Sequence, residues 1–208
     1  MITRWPVVVV GAGVAGAFVA ARLAHFGISV LLVDRDHFPR SKVCGACLSG
    51  RALAVLDRSG VPGMAGLPAR LGMVPLREFR LGAGGYEGTI PLGAGGALSR
   101  FALDSALMEI ARRTGATIWQ ETEALSAEKD EAGVSLMLSR KGVSVTVRTC
   151  LLVIADGLGG RFSSPHLPET IATDSRVGAG CVLDSGSAGA YSGGVIHMAC
   201  GPGAYLGI

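Results

Sequence analysis

A run of four valines followed directly by a glycine-rich turn lies almost at the N-terminus of this chain. Residues 7–10 are all valine, which is typical of a strand buried on both faces of a parallel sheet. The turn, residues 11–16, reads G-A-G-V-A-G. In a G-x-G-x-x-G pattern, Gly11 permits the tight turn, Gly13 lets a pyrophosphate approach the backbone, and Gly16 lets the next helix pack closely. The segment therefore predicts a strand–turn–helix unit that binds a dinucleotide.

An acidic residue follows the second predicted strand at the distance expected for ribose binding. The helix predicted over residues 14–25 is stopped by Gly27, and a buried strand over residues 29–33 leads to Asp34. A lone glycine motif is weak evidence in a chain with 32 glycines. The strand, the helix and the acid in this order make the prediction of a dinucleotide site specific.

The same N-terminal stretch has an alternative interpretation as a signal peptide or membrane anchor. Residues 5–21 carry no charge and follow Arg4. The stretch is shorter than the ~18 apolar residues that indicate a membrane span, and glycines and a proline interrupt it. Arg22 also continues the predicted helix. We therefore expect no transmembrane segment.

Composition bounds the class of protein. Hydrophobic residues make up 49% and charged residues 17% of the 208 residues, so the chain can bury a sizeable core. A net charge of +3, with scattered Arg and Lys, gives no nucleic-acid-binding surface. Five cysteines, an odd number, occur without a secretory signal and favour a reducing compartment. We expect a cytoplasmic protein without a nucleic-acid partner.

The remaining pattern predicts further helices and strands. Helices are predicted over residues 49–58 and 100–114, and loops over 60–72 and 93–97. Strands are predicted over residues 75–81, 86–92, 117–120, 123–129, 134–139, 143–148, 151–155, 177–183, 195–199 and 204–208. The strands within residues 122–149 form an antiparallel meander.

Three separated motifs, in this order, resemble those of a known superfamily. They are the N-terminal glycine turn with Asp34-Arg35, then Arg100-x-x-x-Asp104-x-x-Leu107, then Ala155-Asp156-Gly157. The chain resembles the FAD-dependent superfamily of p-hydroxybenzoate hydroxylase, flavin-dependent halogenases and geranylgeranyl reductases. Residues 39–45, P-R-S-K-V-C-G, are most similar to the geranylgeranyl reductase branch.

The resemblance implies an α/β fold in two parts. It implies a Rossmann-type FAD-binding domain over residues 1–75 and 98–162, with the antiparallel β insertion at about 122–149. Residues 76–97 and 163–208 would form part of a substrate-binding β-sheet. Relatives carry a later Gly-Asp segment near the flavin ribityl chain, and none is found before Ile208, so we expect a C-terminally truncated chain.

The resemblance also implies a set of site residues. Asp34 would accept hydrogen bonds from the adenosine ribose, Arg35 would stack on the adenine, and Arg100 would reach towards the flavin and its pyrophosphate. From spacing alone, Asp156 could close a strand–helix turn and Arg100 could be a solvated helix residue. The implied cofactor-binding set is Gly11, Gly13, Gly16, Asp34, Arg35, Cys44, Gly45, Arg100, Asp156 and Gly157.

The C-x-x-C pair, Cys44 and Cys47, has three interpretations. The resemblance places Cys44-Gly45 near the isoalloxazine, which makes Cys44 the candidate catalytic residue. The pair could instead exchange electrons with flavin as a dithiol, or form half of a zinc site. The zinc site lacks a second closely spaced pair, so we expect no metal. No pairing pattern is shown by the histidines His25, His37, His166 and His197.

The function implied is that of an FAD-dependent oxidoreductase. NAD(P)H would reduce FAD, and the first hypothesis is a monooxygenase-type reaction that hydroxylates a small organic substrate. Reduction of a C=C bond, as in the geranylgeranyl reductase branch, is the alternative, and the sequence does not separate either reaction from halogenation. An isoprenoid substrate would bring peripheral membrane contact. Two other hypotheses stay open: a non-catalytic dinucleotide-binding fragment that needs a partner chain to complete its fold, and an NAD-dependent dehydrogenase.

Overall fold

Two units make up the chain. The computed structural model describes residues 3–157, 162, 172, 174, 175, 177–183, 186, 189, 191 and 193–208. The first unit comprises Met1–Arg40, Gly60–Met64 and Phe101–Arg176, and the second unit comprises Ser41–Ser59, Ala65–Arg100 and Val177–Ile208. His166 lies outside the described residues.

Strands and helices are numbered here in chain order. The strands are β1 (Thr3–Val10), β2 (Val30–Val33), β3 (Cys47–Ser49), β4 (Val74–Pro75), β5 (Glu78–Ala83), β6 (Tyr86–Pro91), β7 (Gly95–Ala97), β8 (Thr117–Trp119), β9 (Thr122–Asp130), β10 (Gly133–Arg140), β11 (Val143–Ile154), β12 (Val195–Gly201) and β13 (Ala204–Gly207). The helices are α1 (Val14–His25), α2 (Gly50–Asp57), α3 (Leu67–Arg70) and α4 (Arg100–Arg113). The mixture of helices with parallel and antiparallel strands confirms the predicted α/β class.

The first unit is built on a six-stranded sheet in the order β8-β2-β1-β11-β10-β9. Strands β8, β2, β1 and β11 are parallel to one another, whereas β11, β10 and β9 pair as an antiparallel meander. The four valines of β1 and all of β2 are buried, because both faces of a parallel sheet are covered. The valine run thus forms the predicted buried strand in the middle of this sheet.

One prediction about this sheet is wrong. The third strand of the meander and the strand that precedes Asp156 are not separate, because β11 runs without a break from Val143 to Ile154. Thr149 lies between the two predicted strands, and its buried hydroxyl is within hydrogen-bond distance of two carbonyl oxygens, that of Leu151 at 2.9 Å and that of Pro6 at 3.1 Å. No Gly, Pro or Asn interrupts the segment, so nothing turns the chain there. The meander therefore belongs to the same sheet as the valine strand.

Helix α4 buries one face in the first unit. Leu103, Leu107 and Ile110 are buried, whereas Phe101 is 52% exposed. Asp104 shares the buried face and is only 1% exposed. A charged side chain on this face requires a counter-charge in the protein.

The second unit contains a four-stranded sheet, β13-β12-β5-β6, and a three-stranded sheet, β3-β7-β4. Strands β5 and β6 form the predicted hairpin, and Gly84 and Gly85 at its turn have φ of 58° and 83°. Positive φ at both central residues is what a tight two-residue turn requires. Residues 177–183, predicted as a strand, lie outside the regular strands.

Two short elements of the second unit were predicted as loops. Helix α3 lies within the predicted connector 60–72, and β7 lies within the predicted loop 93–97. β7 pairs with β3, and a Cβ built on Gly95 would lie 2.8 Å from the Leu48 carbonyl oxygen. Glycine there permits a close approach of two backbones, which local sequence pattern does not show.

Candidate functional site in the first unit and the cysteine loop of the second unit

Gly11 lies where three parallel strands of the first unit end together. Its N–H donates to the Val33 carbonyl at 2.8 Å, and the Ala155 N–H donates to the Val10 carbonyl at 2.7 Å. Gly11 has φ of 95°, and a Cβ built on it would lie 2.4 Å from the Ala155 carbonyl oxygen. Only glycine meets both conditions. The turn after β1 is thereby held against the ends of β2 and β11.

Gly16, in the first turns of α1, is equally restricted by packing. A Cβ built there would lie 1.8 Å from the Gly11 carbonyl oxygen, which is backbone and cannot move aside cheaply. Ala17 and Ala20 on the same helix are fully buried. Small residues therefore let α1 pack directly on the turn and the sheet.

The N-terminus of α1 has the features of an anion-binding site. Gly13 is the N-cap residue, no side chain caps the helix, and no acidic residue lies in its first turn. The first intrahelical bond runs from the Ala17 N–H to the Gly13 carbonyl, so the preceding N–H groups lack intrahelical acceptors. These N–H groups and the helix dipole favour a phosphate group.

Asp34 follows β2 beside this helix terminus. Its Oδ2 accepts a hydrogen bond from the Ala12 N–H at 2.6 Å, and its Oδ1 accepts one from the Asp36 N–H at 2.9 Å. The residue is 7% exposed. Each carboxylate oxygen retains a lone pair after these bonds, so Asp34 can accept further hydrogen bonds from a pair of hydroxyl groups.

The other predicted residues of the first unit lie at the same edge of the sheet or close to it. Asp156 and Gly157 follow β11, and Gly157 has φ of 75° with open space where a Cβ would lie. Arg35, next to Asp34, has an exposed guanidinium whose Nε lies 4.0 Å from Asp36 Oδ1. The carboxyl ends of parallel strands are the usual ligand-binding edge of such a sheet.

Two charged residues near Asp34 were absent from the predicted set. Arg40 has Nη2 within 3.9 Å of Asp34 Oδ2 and within 3.7 Å of Asp104 Oδ2. Both belonged to quoted motifs, Arg40 to residues 39–45 and Asp104 to the Arg100 motif. Burial was the missing signal, since a sequence does not show that two distant charged residues face each other.

The remaining predicted residues belong to the second unit. Cys44 and Gly45 are exposed on the loop before β3, and the half-buried Arg100 begins α4. The Leu98 N–H donates to the Ala46 carbonyl at 2.8 Å, which ties this loop to the segment that leads into Arg100. The loop and Arg100 are thus connected within one unit.

Cys47 differs from an ordinary exposed thiol. Its Sγ donates to the Gly45 carbonyl at 3.0 Å. Partial desolvation, and to a lesser extent the neighbouring Cys44 thiol, raises the pKa of Cys47 although the residue as a whole is exposed. A raised pKa disfavours the thiolate, which is the nucleophilic form. Cys47 is therefore not set up as the attacking thiol of a dithiol pair at neutral pH.

The described residues contain neither a cluster of metal ligands nor a helix that could span a membrane. Within the part of the chain that the structure describes, no group of three His, Cys, Asp or Glu side chains is arranged to hold a metal ion. Among the same residues, no helix is both long enough and apolar enough to cross a membrane.

Comparison with known proteins identifies the family. Residues 4–183 match the family described as FAD binding domain. The chain belongs to this family. FAD binding is thus the family property, and the donor and acceptor set at the turn after β1 fits it: uncapped helix N–H groups for a pyrophosphate and a carboxylate for the ribose hydroxyls.

Individual relatives differ in the reactions that their names give. The chain is 35% identical to the menaquinone reductase of Mycolicibacterium smegmatis over 161 residues, which cover 76% of this chain and 38% of the relative. It is 25% identical to the uncharacterized aromatic compound monooxygenase YhjG of Bacillus subtilis over 183 residues, which cover 85% of this chain and 36% of the relative. The chain thus spans less than half the length of these relatives.

A solved structure shares the fold over the full length of the chain. The geranylgeranyl bacteriochlorophyll reductase-like protein of Thermoplasma acidophilum has a TM-score of 0.74 and 20% identity, and the alignment covers 100% of this chain and 53% of that protein. This likeness confirms the fold of the FAD-dependent oxidoreductases that the sequence motifs resemble.

Proposed function

We propose that this chain forms the FAD-binding part of an FAD-dependent oxidoreductase. The observation that carries the proposal is the position of the Asp34 carboxylate, 2.6 Å from the backbone nitrogen of Ala12 in the turn that leads into the uncapped N-terminus of α1. An anion site and a paired hydroxyl acceptor lie side by side there. A pyrophosphate next to a ribose presents the matching groups.

Residues of the first unit are proposed to bind the pyrophosphate and the adenosine half of the cofactor. Backbone N–H groups after Gly13 would bind the pyrophosphate, Asp34 would accept the ribose hydroxyls, and Arg35 would stack on the adenine. Asp156 and Gly157 would border the dinucleotide from the end of β11. The bound flavin would supply hydride chemistry, and the protein would bind, orient and shield it.

Residues of the second unit are proposed for the flavin half of the cofactor. Cys44 and Gly45 would lie near the isoalloxazine, and Arg100 would reach the flavin or the pyrophosphate. The bond between the Leu98 N–H and the Ala46 carbonyl supports this assignment, because it fixes the cysteine loop to the segment that carries Arg100. Cys44 stays the candidate catalytic residue.

Reduction is the outcome that the comparisons favour. The menaquinone reductase is the relative with the higher identity, and residues 39–45 resemble the reductase branch. We therefore propose a reaction in which NAD(P)H is the electron donor and an isoprenoid quinone is the substrate. Such a substrate would bring the protein into peripheral contact with a membrane surface. The odd number of cysteines favours a reducing, cytoplasmic setting.

Hydroxylation is the second candidate. The likeness to an aromatic compound monooxygenase extends over 85% of the chain. Under this alternative the substrate is a small aromatic compound, and O2 is consumed together with NAD(P)H.

The first experiment is the visible absorption spectrum of the purified 208-residue chain, with the released cofactor identified by chromatography. We expect FAD, either bound on purification or taken up from solution. The D34N variant should bind FAD about tenfold to a hundredfold more weakly, because it loses a charged hydrogen-bond acceptor. D130N, which changes an exposed aspartate on the hairpin between β9 and β10, is the control and should bind normally. A colourless chain that takes up no FAD would contradict the proposal.

The second experiment separates the two reactions. The FAD-loaded chain is mixed with NAD(P)H and a menaquinone without oxygen, and separately with NAD(P)H, a phenol and O2. Oxidation of NAD(P)H with formation of reduced menaquinone under anaerobic conditions supports the reductase. A product that contains an oxygen atom from O2 supports the monooxygenase and contradicts the reductase.

A further inference from the structure

Arg40 lies among three carboxylates in the first unit. Its Nε is 3.3 Å from Asp36 Oδ2, and its Nη2 is 3.9 Å from Asp34 Oδ2 and 3.7 Å from Asp104 Oδ2. Asp34 and Asp104 are 7% and 1% exposed, and the Arg40 side chain is 11% exposed. Two buried carboxylates from distant parts of the chain therefore share one cation.

The Arg40 guanidinium is itself held in place. It lies over the ring of the buried Phe38, with 4.8 Å between the guanidinium carbon and the ring centroid. The Phe38 N–H donates to Gln120 Oε1 at 2.6 Å, which fixes the backbone of the loop. The Nε and Nη1 atoms are buried and have no hydrogen-bond partner among the residues that the structure describes. Charge and stacking, rather than a hydrogen-bond network, position this side chain.

The distances determine how Arg40 can act on Asp34. At 3.9 Å, the Nη2 atom is too far away to form a hydrogen bond with Asp34 Oδ2. Its charge still attracts the Asp34 carboxylate, because water is largely excluded from the pair. The lone pairs of Asp34 that the backbone N–H groups leave unused thus stay available. A direct bidentate Arg–carboxylate pair would have occupied them.

The neighbours of the guanidinium explain why an arginine rather than a lysine suits this position. Its Nη2 faces both Asp34 at the end of β2 and Asp104 on α4. Its Nε faces Asp36, and the group lies over the Phe38 ring. An ammonium group is a compact point charge on a flexible stem and cannot stack on the ring while it places separate nitrogens at these carboxylates. Asp104 therefore restrains Arg40 from the helix side.

We propose that Arg40 is a positioning residue for the ribose acceptor: anchored by Asp104, its charge orients the Asp34 carboxylate while leaving the acceptor sites of that carboxylate free. This inference rests on the proposed FAD site and adds a residue to it. It predicts that Arg40 contributes to FAD affinity only through Asp34, and that it matters for the adenosine half of the cofactor alone.

The test is a double-mutant cycle on the full chain, read out as the dissociation constants of FAD and of FMN from flavin fluorescence. FMN lacks the adenosine ribose and serves as the internal reference. R40M should weaken FAD binding about tenfold and leave FMN binding unchanged, and R40M/D34N should bind FAD no more weakly than D34N. R113M, an exposed arginine on α4, is the matched control and should behave as the unmodified chain.

R40K provides the measurement if R40M fails to fold. It keeps the charge but loses the contact with the Phe38 ring and the separate Nε and Nη2 positions, so it should weaken FAD binding in the Asp34 background and not in the D34N background. Equal losses for FAD and FMN, or additive losses in the cycle, would overturn the inference and leave Arg40 a purely structural residue.

The proposed function fails in a different way. If the unmodified chain binds no FAD, or D34N binds it normally, the FAD site itself is contradicted and the role of Arg40 with it. If D34N weakens FAD binding while R40M and R40K do not, only the inference about Arg40 is overturned.

Discussion

The two units of this chain differ in how completely their side chains are buried. In the first unit, strands from both halves of the six-stranded sheet contribute fully buried side chains, such as Val8, Leu31, Leu136 and Val147. In the second unit, the buried apolar side chains among the described residues are Leu56, Leu67, Pro68 and Leu98, and none lies on the four-stranded sheet. The glycine turn and Asp34 therefore lie on a close-packed frame, whereas the predicted substrate sheet has no buried apolar side chain among the described residues.

The largest difference between the two units is expected when one methyl group is added at a glycine of each unit. G16A places a Cβ within 1.8 Å of the Gly11 carbonyl oxygen and should lower the free energy of unfolding by at least about 3 kcal/mol, with loss of FAD binding. G82A, on β5, meets no atom within 4 Å and should change stability by less than about 0.5 kcal/mol. Urea denaturation followed by circular dichroism measures both. Similar effects of the two substitutions would show that the units are equally tolerant.

Truncation of one large side chain in each unit tests the same contrast in the cores. Leu136 is fully buried, so L136A should lower the free energy of unfolding by about 2–5 kcal/mol. Ile90 on β6 is 54% exposed, and I90A should lower it by less than about 1 kcal/mol. Both tryptophans, Trp5 and Trp119, pack against the core of the first unit, so their fluorescence follows that unit specifically. A large loss of stability for I90A would mean that the sheet of the second unit is buried in solution.

Alkylation of Cys47 tests the cysteine loop, the place in the second unit where a thiol is partly desolvated. Because its pKa is raised, Cys47 should react with iodoacetamide more slowly than a cysteine in an unstructured peptide at pH 7–8, and the difference should narrow as pH increases. Mass spectrometry of digested samples quantifies the modified fraction. The C47S variant identifies the mass signal of the digestion product that contains Cys47. If Cys47 in the folded chain reacts as fast as the cysteine of the unstructured peptide, the desolvation is contradicted.

The smallest effect is expected at the exposed end of the meander. The Arg148 guanidinium, hydrogen-bonded to Asp130, lowers the pKa of that carboxyl, and the Ala132 N–H contributes. A lowered native pKa stabilises the fold above the unfolded value of about 3.9, and the stabilisation is lost as pH falls through the native pKa. The D130N variant should therefore have a slightly lower melting temperature than the unmodified chain at pH 7, and this difference should disappear towards pH 3. Melting curves between pH 3 and 7 measure the difference, and a gap that does not change with pH would contradict this origin.

Sequence reasoning succeeded where close packing restricts the residue type. Helix α1 was predicted with the observed bounds, and the valine run was predicted as a buried strand, although β1 begins four residues earlier, at Thr3. Burial on both faces and the close approaches at Gly11 and Gly16 leave few alternatives there. Sequence reasoning failed where pairing is non-local. β7 was predicted as a loop, since only its partners β3 and β4 make a strand of it. The ion pair of Arg40 with Asp104 likewise joins segments 64 residues apart, which no local pattern relates.

The unbroken course of β11 has a consequence for the order of assembly during synthesis. Val7 pairs with Leu151 and Val10 with Ile154, so the valine strand of the nascent chain gains this neighbour only after about three quarters of the 208 residues have been made. Until then the edge of a very apolar strand stays open, and such edges favour aggregation. Pairing of this kind is slow, because the conformational entropy of a long loop is lost before the strand contacts form. The turn after β1, although its glycines leave the ribosome early, therefore gains its β11 neighbour only after Ile154 has been made.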